Sequence, residues 1–368
     1  QNGSAFEKRD FVVCDEAHKV VDIVQSHFSP KLSAKTADNL LKLDLGLADI
    51  GFSNALIAVD QFREVMNSVT YEEDKESLLK LLKRSMSILG KALSYRDEVQ
   101  KSAKSRFGDE NVPSNWKSVF KGFDFVKDVH CKIEDYIEII EKSGLHFMIK
   151  ATKDGESTFN CLDEKYLMDK HFLKRFGFKL LMTATMGSKS EFESSIGVKK
   201  SFHKKMESTF DFSRSPIYYY PKRRMGMKDI EKNMPWLVKT VCDIMDAHPN
   251  ESGVIHSGSY DLGNRLLYRL PKPKQRRIHV YKGTEEKMET LRSFVEKPGN
   301  ILMGPSLLEG LDLKDEKSRL QIFLKVPYPN LGDRYVSEKM KHSKGWYGWK
   351  TCTSILQGIG RSVRSEED

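Results

Sequence analysis

Two kinds of hydrophobic pattern alternate along the chain. Short apolar runs rich in β-branched and aromatic residues are typical of buried parallel strands, and apolar residues repeated every three or four positions are typical of amphipathic helices. The first kind opens the chain with FVVC at residues 11–14 and returns from about residue 178 onward, whereas the second kind dominates residues 31–144. The pattern therefore predicts an α/β protein interrupted by a long helical zone.

Strands and helices alternate in the second half of the chain, as expected of a parallel sheet covered by helices. The predicted strands are residues 178–182, 217–220, 253–256, 277–281, 301–303 and 320–326. The predicted helices are residues 235–247, 262–270 and 285–294, with Pro235 in a first helical turn. Within the helical zone, the pattern predicts helices near residues 71–89 and 123–141, followed by a β-hairpin at residues 146–162.

Length and composition narrow the class of protein. The 368 residues are 39% hydrophobic and 31% charged, which suits two or three domains at roughly 100–200 residues each. No apolar run approaches the ~20 residues of a membrane span. The N-terminus lacks the basic, apolar and small-residue regions of a signal peptide. The five cysteines lie far apart and form no CxxC, which argues against a disulfide framework and a structural zinc site. We therefore expect a reducing intracellular location, cytoplasmic or, in a eukaryote, nuclear.

The net charge favours an anionic partner such as nucleic acid. The chain has 61 Lys and Arg against 52 Asp and Glu, which gives a net charge of +9. Basic stretches at residues 199–205, 222–224 and 272–277 could contact DNA phosphates, and the tyrosines at 218–220 could stack on bases. A solvated surface for the cations and a divided core and rim position for the tyrosines remain open alternatives.

The first predicted strand ends in the sequence DEAH, residues 15–18. Adjacent acids at a strand end suit chemistry on a nucleoside triphosphate, because one carboxylate can hold Mg²⁺ and the next can orient and deprotonate the attacking water. The alternative is a surface acid pair that follows a strand.

Two further strand ends carry polar side chains. LLMTAT at residues 180–185 ends in hydroxyls that could bridge a nucleotide site to its neighbours. SLLEGLD at residues 306–312 follows the strand at 301–303, at the edge where open α/β sheets bind ligands. There Gly310 allows close backbone approach, and Glu309 and Asp312 can accept hydrogen bonds from a ribose or an arginine. A strand-end turn and a polar loop are the alternatives for these two segments.

The last motif is QGIGRSVR at residues 357–364. Its arginines, Arg361 and Arg364, are three positions apart and hence on one face of a predicted helix. Two guanidiniums beside Gln357 form a fork for triphosphate oxygens, and arginine stabilises the charge of a transferring phosphoryl group. The alternative is a solvated basic helix end.

DEAH, TAT, EGLD and QGIGRSVR occur in the order of motifs II, III, V and VI of the superfamily 2 helicases. Between His18 and Thr183 the chain advances 183 − 18 = 165 positions, and a run VPYPNLGD occupies residues 326–333. In both respects the chain resembles the DinG and XPD family of DNA helicases, which insert a helical Arch domain between motifs II and III.

The resemblance implies an α/β fold of RecA-like parallel-sheet motor domains, the first partial and the second nearly complete, with a helical Arch-like insertion. The first motor domain would comprise residues 1–28 and 165–205, the insertion residues 29–164, and the second motor domain residues 206–368. These boundaries are expectations from the motif positions.

The resemblance also implies roles for individual residues. Asp15 would coordinate Mg²⁺, Glu16 would activate water, and His18 would couple the site to the second motor domain. Thr183 and Thr185 would link hydrolysis to DNA movement. Motif V would face nucleotide and DNA through Glu309, Gly310 and Asp312, and motif VI would act across the cleft through Gln357, Arg361 and Arg364. GVIHSGSY at residues 253–260 resembles motif IV, in which Ser257, Ser259 and backbone N–H groups would hold a DNA phosphate.

The function implied is ATP- and Mg²⁺-dependent translocation on single-stranded DNA, 5′ to 3′, and unwinding of DNA forks in repair or replication. Two alternatives stay open: a non-hydrolysing DNA-binding or regulatory module, and a split subunit whose partner supplies the phosphate-binding loop. An RNA helicase is disfavoured by the resemblance alone.

The chain contains no G-x-x-x-x-G-K-[ST] sequence, the loop that cradles the β- and γ-phosphates. In the family this loop precedes DEAH, so we expect it on a missing N-terminal segment or on a separate chain, and we expect the 368 residues alone to hydrolyse ATP poorly. The family's four cluster-binding cysteines also precede DEAH, so we expect no iron–sulfur cluster in this chain.

Overall fold

The computed structural model forms two compact units. The first unit comprises Gln1–Ala184, Lys189–Lys200 and Leu331–Lys344, and the second comprises Thr185–Ser188, Ser201–Asn330 and Gly345–Asp368. Within these limits the structure describes residues 9–29, 31–33, 75–108, 113–143, 147–151, 156–208, 210–211, 213, 215–280, 284–305, 313 and 315–362.

The elements of the first unit are, in chain order, β1 (Arg9–Cys14), α1 (Val20–Phe28), β2 (Lys31–Ser33), α2 (Lys75–Ser94), α3 (Arg96–Phe107), α4 (Ser114–Ser143), β3 (Phe147–Ala151), β4 (Glu156–Cys161), α5 (Lys165–His171), β5 (Phe176–Leu181), α6 (Lys189–Ile196) and, much later in the chain, α11 (Arg334–His342). Those of the second unit are α7 (Ile230–Ala247), β6 (Gly253–His256), α8 (Tyr260–Arg269), α9 (Lys272–Gln275), β7 (Ile278–Val280), α10 (Thr284–Val295), β8 (Ile301–Gly304), β9 (Leu320–Phe323) and α12 (Trp346–Ile359).

Strands β1 and β5 form a parallel pair in which Phe11 lies opposite Phe178 and Cys14 opposite Leu181. The two phenylalanine rings stack with their centroids 5.1 Å apart. A separate antiparallel sheet has the order β2-β4-β3, so the predicted hairpin forms and gains a third strand. Parallel pairing matters for the site, because both carboxyl ends of β1 and β5 meet at one edge.

The long helices of the first unit pack around a core of their own. In α2, leucines recur every three or four residues. In α4, every seventh residue from Val119 to Ile140 is buried. The buried side chains include Leu78, Leu82, Leu89, Trp116, Val119, Val126, Ile133, Tyr136 and Ile140. The predicted helical zone is confirmed where it is described, and residues 34–74 lie outside the described part of the chain.

A buried polar cluster fixes α11 in the first unit. The Lys339 ammonium donates to the Glu164 carboxylate and to the Leu162 carbonyl, and the Tyr335 hydroxyl donates to Glu164 Oε1 at 3.0 Å. Lys339 is 4% exposed and Glu164 6%. Burial, followed by the Glu164 charge, raises the pKa of Tyr335 well above its usual range, so the phenol remains a donor.

The second unit is built on a four-stranded parallel sheet of order β7-β8-β6-β9. Both faces are covered, because alternate residues enter different cores: Ile255 and Met303 pack with helices α7 and α8, whereas Val254 and Leu302 pack with Phe294 of α10. At Gly253 a Cβ would lie 2.5 Å from the Leu320 carbonyl oxygen, so only glycine allows this approach of β6 to β9. The α/β class with parallel sheets is confirmed.

One arginine, Arg277, binds backbone carbonyls at one end of this sheet. The Arg277 guanidinium donates to four backbone carbonyls, those of Gly299, Met245, His248 and Glu251, at 2.6–3.1 Å. It thereby satisfies carbonyls at the C-terminal end of α7 and in the following loop. The basic stretch at 272–277 is in this respect a structural feature of the second unit.

Two element predictions were wrong. Residues 217–220 are irregular backbone, and Tyr218 is 86% exposed, since this apolar run pairs with no strand among the described residues. Pro235 lies inside α7 and not in its first turn, because the apolar face of that helix already begins with Ile230 and Met234, which are buried in the core.

Among the helices that the structure describes, none combines the length and the apolar character needed to cross a membrane.

We predict that Lys339→Met destabilises the first unit by about 3–5 kcal/mol, because it leaves the Glu164 charge buried without its ammonium partner. The matched control is Lys341→Met on the same helix, whose exposed pair with Glu338 at 2.7 Å should change stability by no more than ~1 kcal/mol. Chemical denaturation of both variants measures the difference. Equal effects would contradict a stabilising role for the buried cluster.

Candidate functional site

The DEAH and TAT motifs meet at the carboxyl ends of β1 and β5. Beyond the strands, the Met182 amide donates to the Cys14 carbonyl at 2.8 Å, and the Ala17 amide donates to the Met182 carbonyl at 2.9 Å. The parallel ladder is thus continued by the motif residues themselves. Backbone hydrogen bonds hold the two motifs together although 165 positions separate His18 from Thr183.

Glu16 has a strained backbone. Its φ of 50° and ψ of 40° place it in the left-handed region, and no other non-glycine residue in the described segments has a positive φ. This conformation costs roughly 1–2 kcal/mol for an L-residue. The Glu16 amide donates to Asp15 Oδ1 at 2.8 Å, which helps to fix the turn. Such strain concentrates at functional sites, where the surrounding structure holds it in place.

His18 joins the two motifs through its side chain. Its Nδ1 lies 2.8 Å from Thr183 Oγ1 and 3.3 Å from Glu16 Oε2. The His18 side chain is 3% exposed, whereas that of Glu16 is 55% exposed. A buried imidazole therefore connects the hydroxyl of one motif to an accessible carboxylate of the other.

Asp15 and Glu16 are both exposed, and they follow directly on the end of β1. Mg²⁺ takes oxygen ligands, commonly one or two carboxylates together with water and substrate phosphates. The exposed carboxylates at this edge are therefore of a kind that fits the ion.

The remaining predicted site residues belong to the second unit. Thr185 lies in its segment Thr185–Ser188. Gln357 lies near the end of α12, but Arg361 lies in a turn beyond it, because the helix ends at Ile359 ahead of Gly360. The prediction that Arg361 sits on a helix face was therefore wrong. Four predicted residues lie outside the described part of the chain: Glu309, Gly310, Asp312 and Arg364.

A side-chain network that sequence reasoning missed holds the segment around Arg361. The Gln321 amide donates to the Ile359 carbonyl at 3.2 Å and to the Ser362 hydroxyl, and its Oε1 lies 3.1 Å from His256 Nε2. Ser318 Oγ lies 2.5 Å from Ser362 Oγ. The network ties the QGIGRS segment to strands β6 and β9. It has no sequence signature, because its members come from three stretches of the chain that are far apart in sequence.

His256 anchors this network from β6. Its ring stacks on Phe323 with centroids 4.2 Å apart, and the residue is 5% exposed. Burial lowers the pKa of His256 to about 4, against a smaller opposite effect of the Gln321 hydrogen bond. The imidazole is therefore neutral at physiological pH.

The motif IV-like turn at the start of α8 is an N-terminal helix cap. The Ser257 hydroxyl is buried and donates to the Ser259 carbonyl at 2.9 Å, and Ser259 Oγ accepts from the Leu262 amide at 3.2 Å. Gly258 has a φ of +69°, and a Cβ there would lie 2.6 Å from Lys325 Cε. Both hydroxyls thus serve the cap, and the groups beside it that suit a phosphate are backbone amides and the Lys325 ammonium. Sequence reasoning missed Lys325, which is marked only by its place just after β9.

The other basic and aromatic stretches differ in exposure. Residues 199–206 and 217–224 are exposed over nearly their whole length. Within the second stretch, Tyr220 stacks on Trp236 with centroids 5.8 Å apart, and Lys222 Nζ lies 5.6 Å from the centre of the same tyrosine ring. Tyr218 and Tyr219 are 86% and 77% exposed. The alternative that the tyrosines divide between core and rim is therefore wrong for these two, since neither lies in the core.

Comparisons with known proteins agree with the motif order. Residues 241–368 match the family model of the helicase C-terminal domain. Over 417 residues the chain is 22% identical to a protein of Methanocaldococcus jannaschii described as "Probable ATP-dependent helicase", a match that covers 98% of this chain. By its motif order and these matches, the chain is similar to the DinG/XPD-like superfamily 2 helicases. It spans 63% of the length of that relative.

Two solved structures titled XPD helicase and XPD apo are each 15% identical to the helicase-like chain, with a TM-score of 0.46. The matches cover 95% of this chain and 62% and 69% of the two XPD chains, respectively.

We predict that the second unit becomes less stable as the pH is lowered, because of His256. Its pKa is lowered from 6.5 to about 4 in the fold, so the native state binds fewer protons than the unfolded state in this window. The stabilisation is complete above pH 6.5 and is lost as pH falls toward 4, by roughly 3 kcal/mol at most. Hydrogen exchange of β6 and β9 amides, corrected for intrinsic rates, measures it.

The variant His256→Phe keeps the ring stack and should flatten this pH dependence. His171→Phe is the control, because burial also lowers the pKa of His171 to about 4, but in the first unit. If His256→Phe leaves the pH profile of the β6 amides unchanged, the assignment to His256 is wrong.

Proposed function

We propose that this chain is the motor part of an ATP-dependent DNA helicase that moves 5′ to 3′ on single-stranded DNA and unwinds forks. The observation that carries the proposal is the joined end of β1 and β5, where His18 connects Thr183 to the carboxylate of Glu16. A surface acid pair with no function would have no need of a strained Glu16 or of a buried histidine bridge.

The proposed chemistry is hydrolysis of the ATP γ-phosphate. Asp15 would hold Mg²⁺, which neutralises charge on the β- and γ-phosphates when bound. Glu16 would accept a proton from the attacking water as the water oxygen bonds to the γ-phosphorus and the bond to the bridging oxygen of ADP breaks. The 55% exposure of the Glu16 side chain leaves room for substrate and water.

His18 and Thr183 would transmit the state of the nucleotide to the rest of the motor. A change in charge at Glu16 alters the electrostatic environment of a nearby imidazole, and a hydrogen bond of 2.8 Å passes that change to Thr183 at the end of β5. Thr185 would extend the connection two residues further.

Arg361, Arg364 and Gln357 would stabilise the charge that develops on the γ-phosphoryl group, while Glu309, Gly310 and Asp312 would contact nucleotide and DNA. The network of Gln321 and Ser362 supports the first part of this assignment, because it restrains the backbone next to Arg361. A backbone held in place lowers the conformational entropy that this arginine would lose on binding phosphate.

DNA would bind to the basic and aromatic surface of the second unit. The exposed Tyr218 and Tyr219 beside Lys222 and Arg223 combine stacking faces with cations, the pairing that single-strand binding proteins use. The amides at the start of α8, together with Lys325, are suited to a backbone phosphate. Ser257 and Ser259 would shape this turn by capping the helix.

The test is DNA-stimulated ATPase activity of the full-length protein. Glu16→Gln keeps the shape of the side chain but removes the base, so we expect kcat to fall about 10²–10⁴-fold while DNA binding persists. Glu98→Gln is the matched control, because Glu98 is an exposed residue of α3 with no proposed role, and its kcat should match that of the unmodified protein.

A kcat unaffected by Glu16→Gln would contradict the proposed hydrolysis. DNA binding without any turnover in the unmodified protein would favour the non-hydrolysing module. Turnover that appears only when a chain carrying the phosphate-binding loop is added would favour a split subunit.

A further inference from the structure

The helical part of the first unit carries a group of metal-binding side chains that the helicase chemistry does not use. His130, Cys131 and Glu134 each offer one ligand atom, and these three atoms all lie within 4.8 Å of one another. All three residues belong to α4. Among the residues that the structure describes, they are the one group of this kind.

Helix geometry explains why these three positions converge. Successive residues of an α-helix are about 100° apart around the axis, so Cys131 lies about 100° from His130, and Glu134 lies about 40° from it on the same side. Glu134 therefore projects from between the other two, one turn further along. The three side chains form a single arc on one flank of α4.

The helix beneath this arc is packed into the helical core, where the neighbouring Val129 and Ile133 are 4% and 0% exposed. A Cβ built on Gly90 of α2 would lie 3.6 Å from His130 Nε2, so the imidazole lies against the backbone of that helix. Packing therefore restricts the histidine before any ion binds, which lowers the entropic cost of binding.

The donor set selects the metal. Imidazole nitrogen, thiolate sulfur and carboxylate oxygen together suit Zn²⁺, which accepts all three in tetrahedral sites. Glu134 also contributes the negative charge of its carboxylate to the group, and charge attraction favours a dication.

We infer that the flank of α4 is a zinc site, with His130, Cys131 and Glu134 as protein ligands and one tetrahedral position left to water. On binding, the Zn–S bond replaces the S–H bond of Cys131, and the released proton passes to the solvent. The site is independent of the proposed nucleotide chemistry. Its expected consequence is a Zn²⁺-dependent gain in stability of the helical part, since the ion binds only the folded arrangement.

The experiment uses the 368-residue chain, treated with chelator, and Co²⁺ as a spectroscopic substitute for Zn²⁺. We expect one equivalent of Co²⁺ to give a thiolate-to-cobalt charge-transfer band that Zn²⁺ displaces. Cys131→Ser should abolish the band. His130→Ala and Glu134→Gln should each weaken Zn²⁺ binding at least about tenfold, because even outer-shell partners of a metal contribute 10–100-fold.

Two controls separate this site from adventitious binding. Cys352→Ser removes the exposed cysteine of the second unit, and His203→Ala removes an exposed histidine, and neither should alter the band or the affinity. In the unmodified chain, Zn²⁺ should slow alkylation of Cys131 but not of Cys352, as followed by mass spectrometry. That measurement remains decisive if a Cys131 variant fails to fold.

A charge-transfer band that persists in Cys131→Ser, or equal alkylation of both cysteines with and without Zn²⁺, would overturn the inference.

Discussion

The hydrogen bonds that join the ends of β1 and β5 are the constraint on which the proposed site depends. They connect segments 165 positions apart and bring Glu16, His18 and Thr183 within reach of one another. Closing so long a loop costs conformational entropy, although the cost grows only slowly with loop length. The helices between the two strands reduce that cost by forming a core of their own, which orders much of the intervening chain.

Buried polar side chains have a comparable role elsewhere in the protein. Lys339 and Glu164 fix α11 within the first unit, and Gln321 with His256 fixes the segment around Arg361 in the second. Apolar packing alone would leave such segments free to slide, because it is not directional. Hydrogen bonds between buried groups add the direction, since an unsatisfied partner is costly.

The sequence predicts much of this architecture, and for physical reasons. Strand β6 matches residues 253–256 to the residue, because a strand buried on both faces is a continuous apolar run bounded by polar residues. The DEAH and TAT motifs were found because their chemistry is contained in a few consecutive residues. Other features depend on neighbours that are distant in sequence, so no local pattern reveals them. They are the left-handed backbone of Glu16, the four carbonyls bound by Arg277 and the position of Lys325 beside the start of α8.

The wrong predictions have the same origin. The tyrosines at 218–220 have high strand propensity, but a strand needs a partner, and propensity carries no information about partners. Proline is common in the first turn of helices, but burial of Ile230 and Met234 extends α7 ahead of Pro235. The domain boundaries at residues 28, 164 and 205 and the roles of the site residues remain predictions.

The most direct measurement is the number of base pairs unwound per ATP hydrolysed in the full-length protein with Thr183→Val, compared with Thr183→Ser. Valine removes the hydroxyl that meets His18, whereas serine keeps it. We predict that the ratio falls roughly two- to tenfold in the valine variant and is preserved with serine, because one hydrogen bond is worth ~0.5–1.5 kcal/mol. An unchanged ratio in the valine variant would contradict the claim that this bond couples hydrolysis to movement.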